Sequence, residues 1–308
     1  MYYFAMNYEE LKSEKLLRLI ERANSVFNEY ADKEIKLCSI INAKSGACSE
    51  DCKFCAQSRY NNAKSDVYPL LDKEKILAAA RRARENHATN FGIVTSGDKM
   101  TGREVDKIAD IIFEMKRQTD IEPCASLGHL SEEHLRRLKD AGLTQFHHNI
   151  ETSPRFYKHI VSTHRFEDRV ETIRAAKKVG LKVCSGGIFG LGETMDDRIE
   201  MARLLRELDV DGIPINILVP IAGTPLEGQP PLPIDEILRS IAIFRIILKD
   251  KVIKLAAGRE SRMKDFQPLA FMAGANGMII GGYLTIRGRS VDEDLAMVEN
   301  LNNMLFTN

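Results

Sequence analysis

Tryptophan is absent from this 308-residue sequence, and neither sign of charge is in excess, since 44 basic residues balance 44 acidic ones. Without a basic surplus or a basic tail, the composition gives no indication of nucleic-acid binding. No apolar run approaches the roughly 18 residues of a membrane-crossing helix, and residues 1–4 lack the positive charge that begins a signal peptide. We therefore expect a cytoplasmic protein that binds neither nucleic acid nor membranes, with its six cysteines reduced.

Short apolar runs alternate with amphipathic segments along most of the chain, which predicts parallel strands connected by helices. Eight such runs in a chain of this length predict an α/β fold, a (β/α)8 TIM-type barrel with an N-terminal helical extension. The predicted strands are 36–41, 90–95, 122–126, 145–151, 182–188, 212–219, 252–257 and 277–280. The predicted helices are 8–30, 72–86, 103–118, 131–141, 166–179, 194–207, 234–248, 260–273 and 292–304.

The sequence has no long linker, because its Pro-rich stretches cover only 213–214 and 228–234. We expect a single domain, 1–308, made of a helical extension (1–33), a barrel core (36–285) and a C-terminal helix (286–308). Active sites of such barrels lie at the C-terminal ends of the strands. Unusual polar or cysteine residues in or just after the predicted strands are therefore candidates: Cys124, His147, Asn149, Glu151, Cys184, Asn216 and Arg259.

Three cysteines, Cys48, Cys52 and Cys55, follow the first predicted strand with the spacing C-x3-C-x2-C. A zinc site could use three such thiolates, but it would want a fourth Cys or His nearby, and His87 is distant in sequence. Three thiolates can instead bind three irons of a [4Fe-4S] cubane and leave the fourth iron open for a substrate. This loop predicts one-electron chemistry.

Five segments resemble the biotin synthases, a family of radical S-adenosylmethionine (SAM) enzymes. They occur in the family's order, within a similarity that runs from about 36 to 285: NAKSGACSEDCKFCAQS (42–58), FHHNIETS (146–153), VCSGGIFGLGET (183–194), PINIL (214–218) and AGRE (257–260). The resemblance implies a [4Fe-4S] cluster on Cys48, Cys52 and Cys55 that binds SAM. It also implies a 5′-deoxyadenosyl radical that removes hydrogen from dethiobiotin, and an auxiliary iron–sulfur cluster that donates the sulfur of biotin.

The resemblance also implies roles for residues around SAM. Asn149 and Glu151 match ligands of the SAM ribose, although Glu151 could instead be a carboxylate at a helix start. Arg169 matches a position near the SAM carboxylate and could equally be a solvated helix residue. Gly187 and Ile188 match the strand along SAM, with Ile188 and Val219 near the adenine; the glycines could also mark a strand-exit turn.

For the substrate, the resemblance implies contacts from Lys44, Asn216 and His147. Asn216 matches a ligand of the ureido ring and could alternatively bridge strands, while His147 stands where the common enzymes have Asn. Seven histidines occur in the chain, and we expect His129, His134 and His159 to lie at the surface. A reductant such as flavodoxin or ferredoxin and a homodimer are further expectations.

The auxiliary cluster of the common enzymes has three cysteine ligands and one arginine. Cys124, Cys184 and Arg259 match three of these positions, but the remaining cysteine is replaced by Gly92. Cys38, on the first strand, is a candidate substitute, and Cys38, Cys124 and Cys184 would suit a [4Fe-4S] or [4Fe-5S] cluster better than [2Fe-2S]. Arg259 would then donate a hydrogen bond to the cluster. The alternative is that Cys38 is a buried small apolar residue and that this site is degraded.

Three other functions stay open at this point. A biotin-synthase-like lipoyl synthase subunit would insert sulfur into an octanoyl chain on a lipoyl-carrier protein. Another radical SAM enzyme of this branch would carry out no sulfur chemistry. A non-catalytic iron–sulfur carrier would not need residues that bind the ribose.

Overall fold

A computed structural model describes residues 7–282 and 289–306. Its strands are β1 (Lys36–Lys44), β2 (Asn90–Thr95), β3 (Glu122–Ser126), β4 (Gln145–His147), β5 (Lys182–Cys184), β6 (Gly187–Phe189), β7 (Gly212–Ile217), β8 (Val252–Leu255) and β9 (Gly277–Ile279). All pairings between these strands are parallel, and β5 closes the sheet by pairing with β7. Because β5 and β6 are two halves of one barrel strand, the predicted (β/α)8 barrel is confirmed.

Twelve α-helices are assigned within the described residues. They are α1 (Tyr8–Ser13), α2 (Leu16–Tyr30), α3 (Lys73–Glu85), α4 (Gly102–Gln118), α5 (Glu132–Asp140), α6 (Pro154–Tyr157), α7 (Phe166–Lys178), α8 (Met195–Glu207), α9 (Ile234–Leu248), α10 (Arg259–Met263), α11 (Gln267–Met272) and α12 (Val291–Phe306). The predicted helix 260–273 is divided into α10, a 3-10 turn (Lys264–Phe266) and α11. Pro268 lies in the first turn of α11, where its missing N–H costs nothing.

The fifth barrel strand is interrupted at Ser185 and Gly186, and steric crowding explains the glycines Gly186 and Gly187. A Cβ at Gly186 would lie 2.0 Å from the carbonyl oxygen of Pro214, and one at Gly187 would lie 2.2 Å from that of Glu151. The backbones approach so closely because Ile188 N donates to Glu151 O over 2.9 Å. Glu151 itself has a positive φ of 67°, so the chain after β4 turns out of the regular sheet and toward the barrel mouth.

Helices α2 and α12, near the two ends of the described residues, pack against each other. Helix α2 buries Leu19, Ala23 and Phe27, and the Phe27 ring stacks on Phe306 of α12 with centroids 5.9 Å apart. The expected boundary between barrel core and C-terminal helix, 285–286, lies outside the described residues, and the single-domain organisation stays a prediction. None of the helices in the described part of the chain is both long and apolar enough to cross a membrane.

Candidate functional site

The three closely spaced cysteines lie on the loop between β1 and α3 and line a central cavity. This cavity has a volume of about 420 Å³, and Cys48, Cys52 and Cys55 face it together with Phe54. The backbone N–H of Cys55 donates to the carbonyl of Cys52 over 3.1 Å, which closes a tight turn between these two ligand candidates. The loop therefore presents all three thiols to one cavity.

Side chains from neighbouring segments hold this loop in place. The amide of Asn61 donates to the carbonyls of Cys52 (3.0 Å) and Cys55 (2.8 Å). The Asp51 carboxylate accepts from the backbone N–H groups of Ser162 (2.9 Å) and Thr163 (3.2 Å) and from both hydroxyls. These contacts fix the loop from both sides, so the thiols are positioned by the folded chain itself.

Burial makes the loop cysteines poor thiolates on their own. It raises the pKa of Cys55 to about 11 and the pKa of Cys52 further, and the neighbouring cysteines add to both shifts. Positive charge from iron would reverse this effect, since a metal-bound thiol is deprotonated. In residues 7–282 and 289–306, no three His, Cys, Asp or Glu side chains converge as ligands of one ion. A cubane does not require such convergence, because its thiolates bind separate irons, and the three cysteines fit this donor pattern.

A polar network lies beside the cysteine loop in the same cavity. The side chain of Asn149 accepts from Gly186 N over 3.0 Å and donates to Glu151 over 3.3 Å. Arg169, on α7, donates to the carbonyl of Asn149 over 2.8 Å and approaches the Glu151 carboxylate to 3.7 Å. Burial raises the pKa of Glu151, although Arg169 and Asn149 oppose the shift. Arg169 is thus an internal residue, and the three predicted SAM ligands are neighbours.

The predicted adenine contacts divide into two kinds. Ile188 and Val219 line the cavity and offer it apolar surface. Gly187, in contrast, has no room for a side chain. A Cβ at Gly187 would meet the Glu151 backbone and would lie 2.8 Å from the sulfur of Met201. The small size of this glycine is therefore explained by packing at the start of β6, where Gly187 pairs with Ile215, and its contact with SAM stays a prediction.

The three predicted substrate residues have different surroundings. His147 lines the cavity, and burial, assisted by the charges of Lys254 and Arg169, lowers its pKa to about 4. Asn216 also lines the cavity, while its amide donates to Gly187 O and accepts from Ala257 N, each over 3.1 Å. It therefore bridges strands and still has one N–H and one lone pair available. Lys44 faces a separate surface depression and forms a 2.8 Å ion pair with Glu104.

Cys38, Cys124 and Cys184 form a second group inside the barrel. They lie on the first, third and fifth barrel strands, and side chains from alternate strands form one layer of a TIM barrel. Cys124 also lines the central cavity. Burial raises the pKa of Cys124, and it raises the pKa of Cys184 to about 11. Cys38 does face inward, as the alternation along β1 predicts, so a second cysteine site is available.

The fourth member of this layer is a lysine that we did not predict. Lys254 lies on β8, the seventh barrel strand, and its ammonium is 3.2 Å from Cys38 Sγ. Burial opposes its charge, but Cys184, Cys38 and Cys124 together raise the pKa of Lys254. The rule that side chains from alternate strands form one layer could have identified it, because Lys254 is the one charged residue in an otherwise apolar β8 segment.

Arg259 has partners other than the cysteines. Its guanidinium donates to Asp294, to Gln267 and, over 3.1 Å, to the carbonyl of Ile279. Arg259 begins α10, after β8 has ended, whereas Lys254 lies within the strand and reaches the cysteine layer. The hydrogen bond expected from Arg259 to the auxiliary cluster and its catalytic role therefore both stay predictions.

His129 is placed differently from our expectation of a surface residue. It lines the cavity, its side chain is 13% exposed, and its Nδ1 contacts the carboxylate of Asp98. The ring lies 4.9 Å from that of His148 and 5.6 Å from that of His164, measured between centroids. His159 is exposed, as expected, and His134 is half-buried. Sequence reasoning missed this histidine cluster because its members come from three separate connections.

Comparison with known proteins assigns the chain to a family. A model described as "Radical SAM superfamily" matches residues 43–205, and one described as "Biotin and Thiamin Synthesis associated domain" matches 214–303. A protein named biotin synthase from Thermotoga petrophila is 52% identical over 97% of this chain and 99% of its own length. Another from Thermotoga neapolitana is 54% identical over 89% and 98%. The chain belongs to the biotin synthase family.

Solved structures agree on the fold of this biotin synthase family member. Methylornithine synthase (PylB) superposes with a TM-score of 0.83, covering 97% of this chain and 94% of that one at 20% identity. The FeFe-hydrogenase maturase HydG from Carboxydothermus hydrogenoformans gives 0.80 at 19% identity, over 94% and 72%. At these identities the likeness concerns architecture alone. Membership in the radical SAM superfamily carries with it a [4Fe-4S] cluster and SAM as cofactors.

Proposed function

We propose that this enzyme converts dethiobiotin to biotin by radical sulfur insertion. A single observation carries the proposal: the loop cysteines Cys48, Cys52 and Cys55 and the strand cysteine Cys124 line one cavity. A radical generated at the loop could then reach a substrate and a sulfur donor without leaving the protein. A cavity of this kind orients a reactive carbon radical toward its target and limits its contact with water.

In this proposal the loop cysteines hold the [4Fe-4S] cluster, and Asn149, Glu151 and Arg169 bind SAM. A buried carboxylate with an adjacent amide suits the two hydroxyls of a ribose, because each hydroxyl can donate to an oxygen acceptor. The guanidinium of Arg169 would attract the SAM carboxylate. When bound, SAM supplies the 5′-deoxyadenosyl radical, and these residues hold SAM in the orientation that the reaction needs.

Cys38, Cys124 and Cys184 would hold the auxiliary cluster, of [4Fe-4S] or [4Fe-5S] type, that provides the sulfur. Gly92 cannot be a ligand, and a Cβ there would lie 3.0 Å from Ile40 Cγ2, so Ile40 fills this space. Iron and sulfide analysis after reconstitution tests the assignment. We expect about eight irons per chain in the wild type and about four in Cys38→Ala, whereas four in both would contradict it.

Anaerobic turnover with SAM and a reductant tests the reaction. We expect dethiobiotin to stimulate 5′-deoxyadenosine formation and to be converted to biotin. Cys124→Ala should still cleave SAM but form no biotin, whereas Cys55→Ala should do neither. Stimulation only by an octanoylated peptide would instead assign lipoyl chemistry. A flavodoxin or ferredoxin reductant and a homodimer are further proposals that rest on the resemblance, and a cytoplasmic location is one that rests on the sequence composition.

A further inference from the structure

Lys254 is a buried cation whose ammonium donates its hydrogen bond to a cysteine. Its side chain is 6% exposed, and its ammonium donates to Cys38 Sγ over 3.2 Å. In the part of the chain that the structure describes, no carboxylate lies within ion-pair distance of it, although 44 acidic residues occur in the sequence. A buried charge without an opposite charge is strongly unfavourable. The location therefore indicates a negatively charged partner within the cysteine layer.

The neighbouring strands leave room for this side chain. A Cβ at Gly277, paired with Lys254 across β8 and β9, would lie 2.9 Å from Lys254 Cγ. One at Gly212, on β7, would lie 3.6 Å from Lys254 Cε and 3.1 Å from Cys184 Sγ. Neither glycine has the positive φ that would explain it by backbone conformation. Their small size instead opens a passage through which the lysine reaches the cysteines.

We propose that Lys254 is a positioning residue of the auxiliary cluster, whose ammonium donates hydrogen bonds to the cluster's sulfur atoms. This inference rests on the proposed function, in which Cys38, Cys124 and Cys184 hold that cluster. Lys254 completes the layer of four alternate-strand residues, so its ammonium and the three thiols share one level of the barrel. A thiolate-ligated cluster supplies this negative charge, because bound iron keeps the three thiols deprotonated.

The positive charge has a chemical consequence. If sulfur from this cluster forms a bond to a carbon radical, one electron of the sulfur would pair with the radical and the other would be left on the irons. A fixed ammonium nearby, in a site of low dielectric, stabilises this added electron. Without it, the auxiliary cluster should have a more negative reduction potential and transfer sulfur more slowly. SAM cleavage at the other cluster should be unaffected.

The test begins with the wild-type holoenzyme, labelled with 15N-lysine and reduced. The auxiliary signal is identified as the EPR signal that does not change when SAM is added. We expect a weak 15N coupling, as for a hydrogen-bonded ammonium. A strong coupling would mean that a lysine amine binds iron directly, and no coupling would mean that no lysine is nearby; either result overturns the inference.

Lys254→Met provides a second measurement, with Lys182→Met, on the exposed side of β5, as the matched control. In Lys254→Met we expect a more negative auxiliary potential and about tenfold less biotin in the first turnover, as for loss of one charge-assisted hydrogen bond. 5′-Deoxyadenosine formation and the control should match the wild type. An unchanged potential would overturn the inference, and if Lys254→Met does not fold, the 15N result decides. If the wild-type protein binds only one iron–sulfur cluster per chain, that result refutes the proposed function rather than this inference.

Discussion

At the scale of single residues, His147 has the least ordinary setting among the predicted contacts. It lines the cavity and pairs with Cys184 across β4 and β5, so it lies beside one of the strand cysteines. Burial and the nearby charges of Lys254 and Arg169 lower its pKa to about 4. His147 is therefore neutral at pH 7 and can accept or donate one hydrogen bond toward a substrate without adding a third cation.

This depressed pKa predicts acid sensitivity of the apo-protein. The unfolded chain, in which a histidine titrates near about 6.5, takes up a proton before the native state does. The free energy of unfolding should then fall between pH 6.5 and 4, by up to about 1.4 kcal/mol per pH unit for each such histidine. Urea unfolding at pH 7, 6 and 5 gives the free energy of unfolding at each pH. This free energy should fall less steeply with decreasing pH for His147→Asn than for wild type. The control His159→Asn, at an exposed position, should have the pH dependence of wild type. The same pH dependence in His147→Asn and wild type would contradict the prediction.

The positions of candidate residues were predictable from the sequence where a spacing or an alternation marked them. The three loop cysteines and Cys38 were identified from pattern and alternation, and all are near the cavity or inside the barrel. Lys254 was missed because a lone lysine in a short strand resembles a solvated residue. His129 was misplaced because its partner Asp98 is distant in sequence, and only the fold brings the two together.

At the scale of elements, the cysteine loop depends on a second loop, 161–165, that contacts it. Hydrogen bonds from Ser162 and Thr163 lower the pKa of Asp51, although burial alone would raise it. We expect Asp51→Ala to lose iron to a chelator several-fold faster than wild type, because the loop would no longer be fixed on that side. Asp72→Ala, with its side chain 85% exposed, is the control. Equal rates of iron loss would show that the cluster itself holds the loop.

The interruption between β5 and β6 offers a second prediction at this scale. Gly187→Ala would place a Cβ 2.2 Å from Glu151 O, a backbone atom that cannot move aside cheaply. We expect a loss of about 3 kcal/mol or more in unfolding free energy, together with weaker SAM binding, because Glu151 would be displaced. Gly228→Ala is the matched control, since nothing lies within 4 Å of a Cβ there. A variant as stable as wild type would refute the steric explanation.

Element boundaries followed from the sequence wherever local signals were strong. Strands β2 and β3 and helix α9 have the predicted bounds, and the capping box of Thr194 and Asp197 begins α8 as its residues indicated. Strand β4 ends earlier than predicted, at His147, because the positive φ of Glu151 turns the chain. That turn is stabilised by contacts with β6, which no local pattern in residues 145–151 contains.

At the scale of the whole molecule, a buried ion pair joins the barrel to the C-terminal helix. Arg259 follows β8, Asp294 lies in α12, and the two side chains are 1% and 0% exposed. The Arg259 guanidinium also contacts Glu260 over 3.1 Å. Because both ends of the main pair are buried, the helix and the barrel should be thermodynamically coupled. The single-domain organisation can therefore be tested by breaking this pair.

Asp294→Ala should lower the free energy of unfolding by about 2–3 kcal/mol. Removing one partner of a buried pair typically costs about 3–5 kcal/mol, and Glu260 remains to compensate part of the Arg259 charge. If helix and barrel form one unit, chemical denaturation followed by circular dichroism should retain one transition, shifted to lower denaturant. Asp292→Ala, exposed on the same helix, should leave the midpoint unchanged. A new early transition with an unshifted main one would instead mean that α12 unfolds independently, and the barrel core would then be the domain.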